Sequence, residues 1–373
     1  MVLKNLKIIL EDKIIENGYL TIENGVITSI NEGETQEEGV DYQGLTVMPG
    51  FVDIHIHGSK GIDFMDATKD DYKTIAESLY QEGVTTFLAT TLTSDTESLK
   101  RVCEIVKEVK DEVPSLGGIH FEGPYINAKL KGAQNEEFIR LPNIEEFDEL
   151  QKISGNNIRL ISLAPEATGA YEFISHVTFN GVTVSAGHSD ATFNEVEEAI
   201  KHGLTNTTHT HNAMSGHHHR KPGIVTAAFY FDSLYTEFIC DTIHVSKETL
   251  KTSYKIIGPE RFVIVTDALK VKHSDIDTFQ LFGLDCIRKD GAAYLTTGPL
   301  AGSLLTMDQG VRNIRDITGE NLINLSKISS RNAAKSLNLL DRGVIQVGKL
   351  ADLVIVDNDL NVKATYKLGK KVY

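Results

Sequence analysis

The segment PGFVDIHIHG, residues 49–58, combines an apolar β-strand pattern with two histidines. Phe51, Val52 and Ile54 favour a buried strand, and His55 and His57 stand two positions apart on it. Because alternate residues of a strand share one face, both imidazoles leave the strand on the same side. Neutral imidazole is a common ligand of divalent transition metals, so this spacing indicates a metal site. Polar residues on an exposed strand face would give the same pattern, and partners elsewhere must decide between the two interpretations.

Downstream of this segment, residues 49–341 alternate β-runs with amphipathic segments of helical spacing, many of which end in glycine. Eight such units predict an α/β fold, a TIM (β/α)8 barrel, with a doubly wound sheet as the alternative. The eight β-runs are VMPGFVDIHIHG, GVTTFLATT, SLGGIHFEGPY, NIRLISLAPE, GVTVSAGHS, GLTNTTHTHNAM, LYTEFICDTIHV and RFVIVTDAL.

Ionisable side chains recur at the carboxyl ends of these β-runs. In a TIM barrel all carboxyl ends open onto the face that carries active sites, so residues distant in sequence should meet in one cavity. Each residue alone could be a polar loop group, but the joint pattern predicts a functional site. The residues are His55, His57, Glu122, His188, His209, His211, His244 and Asp267.

Both chain ends show the alternating pattern of short strands. Turn signals at Asn17-Gly18 and Asn24-Gly25 predict two hairpins near the start. Residues 342–373 repeat this style after a helical stretch near Ser329–Leu340. Isolated hairpins are only marginally stable, whereas strands from both ends can bury one shared face. We therefore expect a small β-sandwich-like domain from residues 1–48 and 342–373, beside a barrel domain of residues 49–341.

Composition narrows the classes of partner and compartment. The formal net charge of −15 over 373 residues disfavours nucleic acid and anionic membranes, which require a positive field. The three cysteines, Cys103, Cys240 and Cys286, are scattered without CxxC spacing, so neither a disulfide framework nor a zinc ribbon is indicated. A reducing, cytoplasmic location is expected. The sequence contains no signal-peptide core and no apolar run that would span a membrane.

Seven motifs resemble those of the N-acetylglucosamine-6-phosphate deacetylases of the amidohydrolase superfamily. They occur in the family order and cover most of the predicted barrel. The segments EGPY with KGAQ, AGHS and HNAM are specific to this branch, whereas H-x-H and a late Asp are shared across the superfamily. The motifs are PGFVDIHIHG, HFEGPYINAKLKGAQ, SAGHSDATF, THTHNAMSG, HRKPG, VTDA and LAGSLLTM.

This resemblance implies a metal-dependent hydrolase that removes an acetyl group from an amino-sugar phosphate by metal-activated hydroxide. It assigns a first metal to Glu122, His188 and His209. A second metal would be bound by His55 and His57, with Glu122 as a bridge and Asp267 as partner. Asp267 would also be the catalytic acid and base. One or two divalent ions per subunit are expected, and such ligand sets accept zinc, iron, manganese or cobalt.

One position departs from part of the family. Members without H-x-H usually have His in a KGAH segment, where it polarises the carbonyl, whereas this chain has Gln134. Because His55 and His57 are present, we interpret the chain as the two-metal version, in which a second cation polarises the carbonyl oxygen. Gln134 remains able to donate a hydrogen bond to the substrate.

The resemblance also indicates substrate contacts and a homodimer. Arg220 is expected to bind the sugar phosphate of the neighbouring subunit, which suits its planar, bidentate donor geometry. The run His217–His219 is interpreted as a solvated cationic loop rather than a third metal site, and Asp53 as a group that orients a ligand histidine. The expected substrate-binding residues are Ala133, Gln134, Asn212, Ala213, Arg220, Asp241, His244, Leu300, Ala301 and Gly302.

Other functions remain open at this point. The related hydrolases include deacetylases of N-acetylgalactosamine-6-phosphate or of N-acyl amino acids, and nucleobase deaminases. EGPY and HNAM weaken the deaminase interpretation, but the sugar epimer is not visible in sequence. From another class, the chain could be a non-catalytic amino-sugar-phosphate-binding protein. Asp267 argues against that alternative, since binding alone requires no proton shuttle.

Overall fold

The computed structural model describes residues 1–281 and 283–373. Eight parallel strands across these residues pair in sequence order, each beside the next, and a bridge from Ile56 to Ala268 joins the first strand to the segment after the eighth. The arrangement is a nearly closed barrel, so the TIM-barrel prediction is confirmed over the doubly wound alternative. The barrel strands, numbered one to eight, are Phe51–Ile56, Val84–Thr91, Leu116–Glu122, Ile158–Leu163, Thr183–Ala186, Asn206–Thr207, Tyr235–Ile239 and Phe262–Val265.

Burial explains why these strands appear as nearly continuous apolar runs. Every residue of strands one and two is buried, as expected for parallel strands covered on both faces. Helices cover the outside, and several begin at a capping residue, such as Asp95, whose side chain accepts from the backbone N–H of Ser98. The longer helices are Lys69–Tyr80, Thr96–Val109, Ile144–Ile153, Ala170–Phe179, Phe193–Lys201, Ile224–Tyr230, Lys247–Ile257 and Met307–Thr318; shorter turns are Ala128–Leu130 and Glu136–Phe138.

A second sheet is built from both chain ends, as predicted. Leu353–Val356 pairs antiparallel with Thr46–Pro49, which joins the last strands to the first. This sheet has its own buried cluster, which includes Leu6, Leu20 and Ile355. The exact domain boundaries at 48/49 and 341/342 stay a prediction. The strands are Val2–Ile9, Ile14–Glu23, Val26–Glu32, Val40–Asp41, Thr46–Pro49, Leu353–Val356, Val362–Lys367 and Lys370–Lys371.

One of the two predicted hairpin turns is wrong. The chain turns at Asn24-Gly25, where both residues have positive φ, but strand Ile14–Glu23 continues through Asn17-Gly18, with a shift of its pairing register beside Gly18. Gly18 lies opposite Leu6, and a Cβ there would collide with the carbonyl oxygen of Asn31. This glycine therefore permits close strand packing, and the preceding turn lies at residues 10–13 instead.

The sequence analysis did not anticipate a small sheet inserted after strand eight. Within the described ranges it has four short antiparallel strands, Thr278–Leu281, Leu284–Lys289, Ala292–Leu295 and Leu300–Ser303. We call residues 278–281 and 283–303 the inserted sheet. It packs on Leu92, Leu269 and Val271 in a third apolar cluster. A two-stranded ribbon, Gly58–Ser59 with Ile62–Asp63, follows strand one.

The helical stretch before the last strands begins earlier than predicted. It consists of Leu322–Ser326, a wider π turn at Lys327–Arg331, and Asn332–Ser336. The Ser329 hydroxyl donates to the carbonyl oxygen of Leu325, and the Ser330 hydroxyl donates to the carbonyl oxygen of Pro49. Both serines are therefore buried with a hydrogen-bond partner. In the described part of the chain, no helix is long and apolar enough to cross a membrane.

Candidate active site

The carboxyl ends of the barrel strands surround a cavity of about 220 Å³. Most residues that the sequence analysis selected lie on its wall, although they come from seven separate segments of the chain. The lining residues are His57, Leu92, Glu122, Gly132, Ala133, Gln134, His188, His209, Asn212, Ala213, His244, Asp267, Leu300, Ala301 and Gly302.

A first group of ionisable side chains consists of Glu122, His188 and His209, all buried. The Nε2 atoms of both histidines lie 3.0 Å from Oε1 of Glu122 and 3.1 Å from each other. His188 is oriented through its Nδ1, which contacts the carbonyl oxygen of Leu130 at 2.8 Å. Three potential ligand atoms thus converge on one small volume.

A second group consists of His55, His57 and Asp267 and shares Glu122 with the first. Oδ1 of Asp267 lies 3.1 Å from Nε2 of His57 and 3.4 Å from Nε2 of His55. Oε2 of Glu122 lies 3.3 Å from Nε2 of His57. Glu122 therefore stands between the two groups, in the place expected of a bridging carboxylate.

Backbone conformation places three of these side chains. His188, His209 and Asp267 have φ of 48°, 31° and 48°, in the left-handed region that side-chain-bearing residues seldom occupy. Each lies two positions after the last residue of a barrel strand, which is Ala186, Thr207 or Val265. Such conformations persist where the surroundings impose them and are concentrated at functional sites. Here they turn the three side chains into the cavity.

The donor set fits a divalent transition metal. Ligand atoms of a tetrahedral zinc ion, each at about 2.0–2.1 Å, lie about 3.3 Å apart, close to the separations in the first group. Nε2 of His55 is buried without a hydrogen-bond partner among residues 1–281 and 283–373. Burial alone would lower the pKa of His57, but Asp267 and Glu122 raise it to about 9. The two carboxylates therefore favour positive charge at this position.

The side-chain amide of Gln134 makes hydrogen bonds through both its nitrogen and its oxygen. Its Nε2 donates to Oε2 of Glu122 at 2.6 Å, and its Oε1 accepts from the backbone N–H of Thr93 at 2.7 Å. Gln134 is buried on the cavity wall. The residue that replaces the family's KGAH histidine thus holds the shared carboxylate.

The predicted substrate residues divide into those on the cavity wall and those away from it. Asp241 lies outside the lining and holds His244, with its Oδ2 2.6 Å from Nδ1 of that ring. Burial would lower the pKa of His244, but Asp241 raises it. Arg220 is exposed on the loop after strand six, outside the cavity lining, and makes no ion pair with the described residues of its own chain.

Several polar residues singled out in sequence lie outside both groups. His211 contacts Oγ of Ser253 at 2.9 Å, away from the cavity. His217–His219 are exposed and belong to neither group of possible metal ligands found in the described part of the chain. Asp53 contacts the backbone N–H of His55 and the hydroxyl of Thr266, not an imidazole, so it orients strand one rather than a ligand ring.

Sequence reasoning missed two buried residues that contact the site. Oε2 of Glu237, on strand seven, lies 3.2 Å from Nδ1 of His55 and accepts from the backbone N–H of His209. The His120 ring lies edge-on to His55, with centroids 4.6 Å apart, and its Nε2 contacts Ser162. A glutamate inside the apolar run TEFI and a histidine inside GGIHFE were the available signals, because buried strands rarely carry ionisable residues without a partner.

The barrel, the second sheet from the chain ends and this pair of histidine–carboxylate groups define a metal-dependent hydrolase of the amidohydrolase type. The model of the amidohydrolase family matches residues 46–372, and the chain belongs to that family. The resemblance inferred from the motifs is confirmed. The chain is 35% identical to N-acetylglucosamine-6-phosphate deacetylase from Bacillus subtilis, over 99% of this chain and 96% of that protein.

Two solved structures match along the full length. The deacetylase of the same name from Thermotoga maritima has a TM-score of 0.93 and 37% identity, covering 100% of this chain and 99% of that one. A variant of the Mycobacterium smegmatis enzyme, in complex with N-acetyl-D-glucosamine-6-phosphate, has a TM-score of 0.95 and 28% identity, with the same coverage. The similarity to these deacetylases, in sequence and in fold, therefore extends over the whole described chain.

Proposed function

We propose that this protein hydrolyses the acetamide of N-acetylglucosamine-6-phosphate to glucosamine-6-phosphate and acetate. The observation that carries the proposal is the position of Glu122, which lines the cavity together with Asp267 and lies within 3.0–3.4 Å of four imidazoles. The M. smegmatis complex and the B. subtilis relative supply the substrate.

We propose Glu122, His188 and His209 as ligands of one divalent ion, and His55, His57 and Asp267, with Glu122, as ligands of a second. Zinc, iron, manganese and cobalt all suit this donor set, at one or two ions per subunit. When bound by these residues, a divalent ion would supply a Lewis acid for the acetamide carbonyl and would lower the pKa of a water from 15.7 to about 7.

Asp267 is the residue to which we assign proton transfer. Its carboxylate is positioned beside His57 and faces the cavity, so it can take a proton from the attacking water and give it to the departing sugar amine. The proton is needed because an amide anion is a poor leaving group. Water thus adds to the carbonyl carbon, the C–N bond breaks, and the amine leaves protonated.

Residues on the remaining wall would bind the sugar. His244, held by Asp241, offers a hydrogen-bond donor. Asn212, which follows strand six, adds a side-chain amide to the same cavity wall. Gln134 donates one N–H of its amide to Glu122, and the second N–H of the same nitrogen is the donor that it can offer to the substrate. The apolar part of the wall comes from Ala133, Ala213, Leu300, Ala301 and Gly302.

Arg220 supports the proposal of a homodimer in which each subunit completes the site of the other. The loop that carries it concentrates positive charge in a protein of net charge −15, which suits an anionic substrate. Phe193 lines the same groove as Arg220 and contacts Tyr230, an aromatic ring that is 70% exposed. A second copy that covers this surface would deliver Arg220 to a phosphate outside its own cavity.

The proposal places the protein in the cytoplasm, in keeping with three free cysteines, all buried. The deciding experiment measures amine release from N-acetylglucosamine-6-phosphate after addition of divalent metal, beside its galacto epimer, the unphosphorylated sugar and an N-acetylated amino acid. Turnover of the gluco phosphate above the other three is expected. Preference for the epimer would reassign the substrate, and no turnover with tight sugar-phosphate binding would identify a binding protein.

A further inference from the structure

The inserted sheet forms part of the cavity wall and also contacts the backbone of Asp267. Its last strand supplies Leu300, Ala301 and Gly302 to the lining. The next residue, Ser303, donates its N–H to the carbonyl oxygen of Asp267 at 2.9 Å. The position of the inserted sheet and that of Asp267 are therefore coupled directly.

One buried carboxylate contacts both the segment before the inserted sheet and the segment after it. Glu82 lies between helix Lys69–Tyr80 and strand two and is 1% exposed. Its Oε1 accepts from Nζ of Lys272 at 2.8 Å and lies 2.7 Å from Nε2 of His273, just before the inserted sheet. Its Oε2 accepts from the backbone N–H of Met307 at 2.8 Å, just after the sheet. The single side chain thus connects both ends of the insertion to the barrel.

These contacts are strong for a physical reason. Lys272 is 2% exposed, so Glu82 and Lys272 form an ion pair almost without access to water. Burial alone would raise the pKa of Glu82, but Lys272 and His273 lower it, which keeps the carboxylate ionised. When one partner of such a pair is removed, the other is left as an uncompensated buried charge. The segment that carries Lys272 must then rearrange.

We propose that Glu82 is a positioning residue that fixes the inserted sheet over the cavity, and through it Asp267 and the wall at Leu300–Gly302. The inference rests on the deacetylase function proposed above. It assigns a role in substrate binding and turnover to a residue that lines no part of the cavity.

The test compares Glu82→Gln with Asp352→Asn. Asp352 and Lys367 form an equally buried pair at 2.7 Å in the sheet from the chain ends, so Asp352→Asn is a matched control for loss of stability. We expect Glu82→Gln to lower kcat/KM by about tenfold to a hundredfold, with an increase in KM, since small displacements of substrate-positioning groups have effects of this size. Asp352→Asn should change kcat/KM less than about twofold at an equal loss of thermal stability, because distant sites without shared partners act independently.

Hydrogen–deuterium exchange provides a readout that does not depend on activity. In Glu82→Gln, exchange should rise in peptides covering residues 284–303 and stay unchanged in residues 353–367, whereas Asp352→Asn should show the reverse. Equal exchange in both variants, or unchanged KM in Glu82→Gln, would overturn the inference. A wild-type protein without deacetylase activity would overturn the proposed function, while the exchange pattern would still decide whether Glu82 is the anchor.

A second variant covers the case in which Glu82→Gln does not fold. Glu82→Met with Lys272→Met replaces the ion pair by apolar side chains of similar size, an exchange that often preserves stability. His273 and the N–H of Met307 still lose their acceptor. We expect a folded protein with raised exchange in residues 284–303 and raised KM. Normal KM and normal exchange in this variant would show that packing alone holds the inserted sheet.

Discussion

The Nδ1 atom of His55 lies 3.2 Å from Oε2 of Glu237 inside the barrel, and its Nε2 faces Asp267 at 3.4 Å. The first contact selects which ring nitrogen is directed to the carboxylates. In metal sites such a second contact fixes the tautomer and orientation of the ligand histidine. Glu237 is fully buried, so water does not compete for this contact.

Glu237→Gln should weaken metal binding at the group of His55, His57 and Asp267. Loss of a partner of this kind typically lowers metal affinity 10- to 100-fold. Elemental analysis after dialysis against a weak chelator should find close to one ion per chain, retained by Glu122, His188 and His209. Asp352→Asn, which replaces a buried carboxylate in the sheet from the chain ends, should keep the wild-type metal content. Two ions retained by Glu237→Gln would remove Glu237 from this role.

Glu122→Gln should be the most damaging change to the metal site. Glu122 lies within 3.4 Å of His55, His57, His188 and His209, so both proposed ions lose a ligand at once. We expect little bound metal by elemental analysis and no recovery of activity when divalent metal is added. Full metal content in this variant would contradict the assignment of a bridging carboxylate.

Asp267→Asn should preserve the fold and much of the substrate affinity but lower turnover by at least about a hundredfold, the low end for general acid–base catalysis. The fold is retained because the backbone contacts of residue 267 with His55 and Ser303 do not involve its side chain. Circular dichroism and substrate binding serve as controls. Near-normal kcat would exclude Asp267 as the proton shuttle.

Arg220→Ala should raise KM for the phosphorylated sugar by one to two orders of magnitude, as expected for loss of a hydrogen bond to a charged group worth about 1.5–3 kcal/mol. An unphosphorylated analogue should be unaffected. If the site is completed by the neighbouring subunit, mixing Arg220→Ala with Asp267→Asn chains should restore one normal site per mixed dimer. Subunit exchange without recovered activity would place Arg220 elsewhere.

Lys110 should make stability depend on alkaline pH. Its Nζ donates to the carbonyl oxygens of Leu116 and Gly117, and burial, with Arg159 and Arg342 nearby, lowers its pKa to about 8. The unfolded chain holds this proton up to about pH 10.4, so between pH 8 and 10 it binds more protons than the folded chain, and stability rises with pH.

Lys110→Met lacks this titration. Urea unfolding of both proteins at pH 7.5 and 9.5 should show that the wild type gains about 2 kcal/mol relative to the variant. The difference between the two proteins cancels the other groups that titrate in this range. An unchanged difference at the two pH values would contradict the lowered pKa of Lys110.

Local sequence patterns predict much of the barrel and of its candidate site. PGFVDIHIHG specifies a buried strand with two histidines on one side, because strand periodicity depends only on neighbouring residues. The eight β-runs and the ionisable residues at their ends are equally local, and a parallel barrel brings such ends to one face. Glu122, His188, His209 and Asp267 were therefore predicted as site residues without coordinates, and the structure places all four around one cavity.

Other features depend on contacts between residues distant in sequence. Glu82 resembles an ordinary charged residue in its own segment, and Glu237 interrupts an apolar run without indicating its partner. Only the fold shows that they are buried against Lys272 and His55. Asn17-Gly18 was predicted as a turn because the sequence does not show the real reason for the glycine. That reason is the close approach of the Asn31 carbonyl oxygen from the neighbouring strand. The same limit applies to the inserted sheet, whose short strands pack against Leu92 and Leu269 from other parts of the chain. Local pattern thus determined the elements and the site's chemistry, whereas tertiary structure decided which buried charges are partners, because pairing energy depends on burial and distance rather than on chain order.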